Sequence, residues 1–478
     1  MTTQNLILNT DSYKLTHYLQ YPPGTTRISS YIESRGGALG KVLFFGLQAF
    51  LKEYLARPIS RADIDEAEEV CRAHLGVFNR QGWEHIVERH GGYLPIEIQA
   101  LPEGTLVGSH VPVAQVINTD PACFWVPSYI ETALLRAVWY PSTVASLSMA
   151  CKVVLRQYLE ETADNLDALP FQLHDFGARG ATSDEAAGLG GAGHLLNFQG
   201  TDTMAALMVA RRSYGEAMAG FSIPASEHST MTSWGKAGEA AAYRNMIRQF
   251  AGPQKVLAFV IDSYDVWNAL DHIVGEELHG EVVANGGRIV VRPDSGDPVA
   301  VVPRVIEHLM RRFGHTQNSK GYRVLPPYIR MIQGDGVDLN SLPRILEVLK
   351  MHAISTENLA FGMGGGLLQK VDRDTLKWAM KASWGEIDGQ PREIFKDPVT
   401  DPGKRSKAGR YGVIRVGDGY EAVREEALGG RRNLLRPVWR DGRLLAEDSF
   451  ARIRARAAEH FEIAYRDTLE AAQRSQAV

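Results

Sequence analysis

The sequence predicts an α/β protein: a central α/β barrel joined to a second, α+β domain built from both ends of the chain. Two observations carry this. Six short apolar strands in the middle of the chain each run into a cluster of Gly, Asp, His or Arg. The endings are HDFGARG (174–180), SIPASEHST (222–230), VIDSYD (260–265), VVRPDSGD (290–297), IQGDGVD (332–338) and AFGMGGG (360–366). Between most of them lies enough chain for one helix, and repeated strand, polar tip and helix is how a barrel gathers one active site at the C-terminal ends of its strands. The second observation is length: 478 residues exceed what one hydrophobic core usually serves, so two domains are expected.

Taken in order, RISSYIES (27–34) alternates like a half-buried strand, and GLQAFLKEYLA (46–56) has helical spacing. A helix is expected over 60–76, from the N-cap Ser60 to the closing Gly76. Residues 94–120 read as strands and turns, punctuated by Pro-Glu-Gly and Gly-Ser. Residues 127–163 read as two helices broken at Pro141. The βα pattern then runs from about 168 to 385, with helices over 201–215, 228–250 and 302–314. A Pro-, Gly- and Lys-rich loop (396–410) precedes YGVIRV, YEAVREE and the hairpin PVWRDGRLL, turned at Asp441-Gly442. An amphipathic helix from about Ser449 to Gln473 ends the series. The expected division is 1–165 for the first part of the α+β domain, 166–385 for the barrel and 386–478 for the remainder of the α+β domain.

Composition excludes several classes. A formal charge of −4 with well-mixed signs gives no polyanion-coating surface, so nucleic acid is not an expected partner. Cys71, Cys123 and Cys151 are widely spaced with no CxxC pair, which indicates neither a disulfide framework nor a structural zinc motif. The opening MTTQNLILNTDSYK has no basic segment followed by a long apolar run, and no apolar stretch approaches the ~20 residues that cross a bilayer. A cytoplasmic protein without a membrane partner is expected.

The chemistry is concentrated at the strand tips. Arg292 and Asp294 stand two apart at the end of a Val-rich strand, so both can face one mouth. An Arg fork suits phosphate or a carboxamide oxygen and an Asp suits ribose hydroxyls or Mg²⁺, although the two also read as an internal ion pair. The Gly-rich turns at 334–336 and 364–366 let backbone N–H groups approach an anion, yet match neither GxGxxG nor a P-loop, and Gly364–Gly366 reads equally as a tight turn. Glu227 and His228 fall where a helix begins, a place for a titrating or nucleophilic imidazole or for a structural one. Phe176 offers a flat face beside the cation of Arg179, or a core Phe beside a surface Arg, and Asp202 in GTDT reads as a helix N-cap. Together the tips suggest a phosphorylated sugar, a divalent ion and a flat aromatic ring.

These stretches, together with TDSYKLTHYLQYPPGT (10–25), FFGLQ (44–48), LPIEI (94–98), NFQGTDT (197–203), NSKGY and LPPY (318–328), GGGLLQK (364–370), FKDP and DPGKRSK (395–407), resemble the type II phosphoribosyltransferase family, in its nicotinate/nicotinamide branch, nearly end to end. The resemblance implies an irregular α/β barrel with a second domain. It implies transfer from phosphoribosyl pyrophosphate (PRPP) to nicotinamide with Mg²⁺, ATP as co-substrate, and a homodimer whose subunits share active sites. On the matching positions, Phe176 and the partner subunit's Tyr13 sandwich the pyridine ring. Asp202 meets the carboxamide NH₂, and Ser222 in SIPASEHST is a further substrate-binding position. Arg292 lies near the carboxamide oxygen and ribose, and Asp294, Gly334 and Asp335 hold the ribose hydroxyls. Gly364, Gly365 and Arg179 line the phosphate pocket, helped by Arg35, Arg373, Lys381 and Lys396 from the partner. His228 corresponds to the family's phosphorylated histidine, through which ATP acts, with Asp262 resembling its supporting carboxylate and Glu227 beside it. The chain departs from the family pattern at Ala178, where a Tyr is usual, at Met363, where a Ser is usual, and at Ser226, where an Ala is usual.

Three other readings compete. A nicotinate-specific enzyme shares the fold, but an acid pocket calls for a cation where Asp202 stands. A metal-dependent barrel hydrolase would use His174, His194, His228 and Asp294, without an HxH or HExxH pair. A binding role without chemistry leaves the whole set of tip residues unexplained.

Overall fold

The computed structural model describes residues 5–400 and 405–476, so residues 401–404 of the DPGKRSK segment lie outside the described residues. The chain divides into two compact units, one of residues 1–146, 209–217 and 372–478, the other of residues 147–208 and 218–371.

The first unit is built on a seven-stranded antiparallel sheet in the order Gln390–Glu393, Trp378–Ile387, Thr25–Ser34, Pro112–Asn118, Ile96–Ala100, Arg436–Arg440 and Arg443–Leu444. Its central strands come from opposite ends of the chain, with Tyr31 opposite Lys381 and Ile32 opposite Met380. The helix Arg61–Leu75 starts at a capping box between Ser60 and Asp63 and stops at Gly76, whose φ of 79° only glycine adopts freely. The Asp441-Gly442 turn has positive φ at both positions, 49° and 83°, as a two-residue hairpin requires. The closing helix, Phe450–Gln476, buries Phe450, Ile453, Ala457, Phe461 and Tyr465, one residue per turn. Trp83 sits edge-on between Trp125 and Tyr129 at centroid separations of 4.8 and 5.0 Å. Such pairs add about 0.5–1.5 kcal/mol beyond the area they bury.

Two helix expectations are corrected, the first at Pro141. Residues 131–162 form a single helix that runs through Pro141. The 43–46 segment packs on that turn, and the neighbouring hydroxyls anchor it there. Ser142 Oγ bonds both the N–H and the carbonyl of Phe45, Ser146 Oγ accepts the Leu43 N–H, and Thr143 Oγ1 donates to the Trp139 carbonyl. This helix is long and apolar enough to cross a membrane by length and composition, which no continuous apolar run disclosed; 67% of its most apolar window is buried inside the protein, as in a core helix.

The second unit carries six parallel strands in the order Gly200–Thr201, Leu173–Asp175, Leu359–Met363, Ile329–Gln333, Arg288–Arg292 and Val256–Val260. Leu257–Val260 and Ile289–Val291 are buried throughout, the pattern of strands covered on both faces. The sheet is closed by a stretch too short and irregular to register as a strand. Phe221 bridges to Gly200 at one edge and Ala225 bridges to Ala258 at the other. The closing bonds include Thr201 N to Phe221 O at 3.0 Å and Ser226 N to Ala258 O at 3.0 Å. Ser226, one of the departures from the family pattern, adds its hydroxyl as an acceptor for Val260 N at 3.0 Å. Five of the six polar tips therefore follow a parallel strand, and the sixth, 222–230, is the closure itself.

The helix expected over 228–250 is two. His228–Thr232 ends in a turn at Gly235, with φ of 70°, and the chain restarts at Glu239–Phe250. The break leaves His228 on a short helix at the barrel rim.

Candidate active site

The barrel unit brings most of the expected tip residues together. Phe176 leaves the end of its strand with its N–H bonded to Met363 O at 3.0 Å. Its half-buried ring lies over backbone: a Cβ built on Gly362 would fall 1.9 Å from Phe176 Cε2, and one on Gly334 would lie 3.3 Å from the same atom and 3.5 Å from Asp294 Oδ1. Gly362 is thus required for the ring to lie flat, and Gly334 joins the ring to the Asp294 side of the mouth.

Asp202 and Ser222 meet where the closing segment passes the short strand Gly200–Thr201, and the Ser222 hydroxyl donates to Asp202 Oδ1. The Asp202 N–H bonds Asp175 O at 3.0 Å. Asp175 is fully buried, and its Oδ1 accepts the Gly177 N–H at 2.7 Å. Burial pushes its carboxyl above the usual range. This one residue fixes the turns that present Phe176 and Asp202. It lies within HDFGARG, but nothing in its spacing marks it as structural.

Arg292 and Asp294 share a side of the mouth, as their spacing predicts, yet they are not a tight ion pair. Arg292 Nη2 stands 3.9 Å from Asp294 Oδ2, and the buried Arg292 Nε has no hydrogen-bond partner among the described residues. An unsatisfied buried guanidinium nitrogen costs about 1–3 kcal/mol or more, so the group is poised for an acceptor that a ligand supplies.

His228 is held from below. Its Nε2 lies 3.0 Å from Asp262 Oδ1, and Asp262 Oδ2 accepts the Asp294 N–H at 3.0 Å and the Ser295 hydroxyl. A carboxylate only accepts, so Nε2 carries a proton, and Nδ1 is the nitrogen that holds the lone pair whenever the ring is neutral. The Asp262 side chain is 5% exposed and that of His228 45%, which leaves the imidazole presented outward. Glu227 does not join this pair; its carboxylate takes the Ser229 hydroxyl. Arg179 and Asp335 are exposed at their tips, and Gly364 and Gly365 open the short turn Gly365–Leu368. His174 stacks loosely between Phe171 and Phe176, and His194 is buried against Ser148 and Phe198, so neither joins a donor set. Ser295 and Gly362 escape the sequence reading, although a glycine inside a strand signals close approach.

The remaining expected residues lie in the first unit. Tyr13 is 58% exposed, with the His17 ring edge-on at 5.1 Å and Lys14 Nζ 5.2 Å from its centroid. The buried Lys14 is paired with Glu131 at 2.7 Å. Arg35 Nε lies 3.5 Å from the buried Glu33, which Lys407 also meets at 2.7 Å. Burial pushes the Lys381 ammonium down; Glu131 opposes this, while Arg35, Lys396 and Lys14 add to it. Arg35, Lys381 and Lys396 therefore form one cationic cluster. Arg373 donates to Trp378 O at 3.2 Å and pairs with Asp374 at 2.9 Å.

Residues 171–441 match the nicotinate phosphoribosyltransferase family, and residues 5–98 match the nicotinamide phosphoribosyltransferase N-terminal domain. A protein of Xanthomonas campestris pv. campestris (strain 8004) named nicotinamide phosphoribosyltransferase is 50% identical over 460 residues, covering 95% of this chain and 98% of its own. One of the same name from Acinetobacter baylyi (strain ATCC 33305 / BD413 / ADP1) is 33% identical over 490 residues, with coverage of 95% and 97%. Among solved structures, nicotinate-nucleotide pyrophosphorylase from Pyrococcus furiosus superposes with a TM-score of 0.65 at 16% identity, covering 97% of each chain. Human nicotinic acid phosphoribosyltransferase superposes at 0.54 and 18% identity, covering 94% of this chain and 92% of that one. These two share the fold.

Proposed function

This chain belongs to the nicotinate phosphoribosyltransferase family, and from that premise we propose how its residues join nicotinamide to PRPP, giving nicotinamide mononucleotide and pyrophosphate in the salvage of NAD. The observation that carries the reading is the mouth of the barrel. A flat ring rests over Gly362 and Gly334, with a partly free guanidinium and a carboxylate beside it and a second carboxylate, Asp202, one strand tip away.

The pyridine nitrogen attacks C1 of the phosphoribosyl group with its own lone pair while the bond from C1 to the pyrophosphate oxygen breaks. No proton moves, so no general base is needed. The work of the protein is to position the ring and to stabilise departing charge through an oxocarbenium-like state. Phe176 supplies one face for the ring. Ser222 occupies one oxygen of Asp202 and leaves the other for the carboxamide NH₂, where the carboxylate of nicotinate would be repelled. Arg292 Nε offers its unused donor to the carboxamide or ribose. Asp294, Gly334 and Asp335 hold the ribose hydroxyls, and Arg179, Gly364 and Gly365 line the phosphates. Mg²⁺, bound with the pyrophosphate, would supply countercharge, and the carboxylates of half-buried Asp294 and exposed Asp335 suit its hard, oxygen-seeking chemistry.

ATP coupling rests on His228. With Nε2–H held by Asp262, Nδ1 takes the γ-phosphoryl group as ADP leaves, and water later returns phosphate. In a cytoplasmic homodimer with shared sites, the partner subunit's Tyr13 covers the second face of the ring. The cationic cluster of Arg35, Lys381 and Lys396, with Arg373, then serves the phosphates of the neighbouring site.

Incubating the protein with PRPP, Mg²⁺ and either nicotinamide or nicotinate, with and without ATP, tests this. Nicotinamide mononucleotide is the expected product. Consumption of neither base would refute the reaction, and a preference for nicotinate would refute the role of Asp202. Mixing Phe176→Ala and Tyr13→Ala chains restores part of the activity only if sites straddle two subunits.

A further inference from the structure

Outside the active site, the first unit holds a group of donor atoms that the proposed reaction does not use. The ligand atoms of His85, Asp120 and Cys123 all lie within 4.8 Å of one another, and this is the one such His/Cys/Asp/Glu group among the described residues. A fourth donor, His90, stands beside this group on the same carboxylate, though not within that separation of all three. His85 Nε2 is 2.8 Å and His90 Nε2 is 2.6 Å from the same oxygen, Asp120 Oδ2. Its other oxygen is already taken by the Ala122 N–H at 2.8 Å, the bond of an ordinary helix cap.

Capping alone would need neither imidazole nor thiol. Two imidazole nitrogens, one carboxylate oxygen and one cysteine sulfur are the donor types that borderline-soft divalent cations select, and four protein ligands make a closed tetrahedral set. We propose that His85, His90, Asp120 and Cys123 bind one divalent ion of the zinc class as a structural site. The elements support it. Both histidines lie on the helix Arg80–His90, midway along it and at its end, and Asp120 caps the tight turn Pro121–Cys123 that ends in Cys123, after the strand Pro112–Asn118. The ion ties helix to sheet across 30 residues of sequence. Cys123 is fully buried, while the histidines are 32% and 24% exposed, which gives the ion a way in.

Tetrahedral bonds of about 2.0 Å set N and O ligand atoms about 3.3 Å apart, so both imidazoles back off Asp120 Oδ2 by roughly half an ångström and His90 swings toward the other donors when the ion enters. On binding, each imidazole carries its proton at Nδ1 instead of Nε2, and the Cys123 thiol releases its proton to solvent as the sulfur–metal bond forms. No oxidant or reductant takes part.

Cobalt(II) titrated into the chelator-stripped full chain tests the site. One equivalent per chain is expected, with tetrahedral visible bands and a near-ultraviolet thiolate-to-cobalt charge-transfer band. Cys123→Ser should abolish the charge-transfer band. His85→Gln and His90→Gln, at the rim where folding is least at risk, should weaken binding by about a hundredfold or more, since losing a direct ligand costs more than the 10–100-fold typical of an outer-shell partner. Absence of stoichiometric binding, a charge-transfer band that survives in Cys123→Ser, or unchanged affinity in both histidine variants would each overturn the proposal.

Discussion

His228 and Asp262 form a directed pair, Nε2 to Oδ1 at 3.0 Å, and the second Asp262 oxygen is tied to Asp294 and Ser295 on the neighbouring strand tip. The bond fixes which ring nitrogen is free. Asp262→Asn offers an NH₂ in place of an acceptor, so the imidazole turns its lone pair to Nε2 and its proton to Nδ1. Stimulation by ATP should fall about a hundredfold or more while synthesis without ATP persists, measured as product formed with and without ATP. Equal stimulation in variant and parent would remove His228 from the coupling.

Gly362 and Phe176 make a second prediction. A methyl group at 362 would sit 1.9 Å from Phe176 Cε2, so Gly362→Ala must tilt the ring. The KM for nicotinamide should rise about tenfold in Gly362→Ala and at least as much in Phe176→Ala, the scale of a lost stacking contact. Steady-state kinetics at saturating PRPP decides it, and an unchanged KM in Phe176→Ala would displace the ring site.

Base selection follows from the Asp202 charge. Asp202→Asn keeps an oxygen for the amide but removes the repulsion of a carboxylate. The ratio of kcat/KM for nicotinamide over nicotinate should drop at least about tenfold, since juxtaposed like charges cost several kcal/mol. Should the ratio hold, discrimination lies elsewhere.

Glu103 predicts a pH dependence of stability. It is buried in the first unit, accepting the Gln48 N–H at 2.6 Å, the Gly46 N–H at 3.2 Å and the Tyr214 hydroxyl at 2.9 Å. Burial, opposed by those three donors, pushes its carboxyl up from 4.5 to about 7. The folded state thus binds this proton more tightly than the unfolded chain. Its contribution is full below about pH 4.5 and lost as pH rises through about 7, on the order of 3 kcal/mol in all. Glu103→Gln removes that slope. Urea unfolding of variant and parent at pH 5 and pH 8 measures it, and parallel pH profiles would contradict the assignment.

Much of the barrel was legible in the sequence because its signals are local. Apolar runs ending in polar clusters mark parallel strands, Ser60 and Gly76 mark helix ends, and Asp441-Gly442 marks a hairpin. Arg292 and Asp294 share one side of the mouth because a strand alternates faces every residue. By itself, then, the sequence determined the order of the tips and the kinds of side chain each presents.

Only tertiary structure decided the rest, because those outcomes depend on partners distant in the chain. Phe221 and Ala225 close the barrel by pairing with two edges that no local pattern announces. Pro141 stays inside its helix, where the segment from Leu43 to Gly46 packs on it and Ser142 and Ser146 bond that backbone. Gly235 divides a run that looks helical throughout. Asp175 becomes a support, and His85, Asp120 and Cys123 become one group with His90 beside it, only when separate elements are brought together. Local propensity sets what each segment can form, while long-range packing and hydrogen bonding select which of those possibilities is kept.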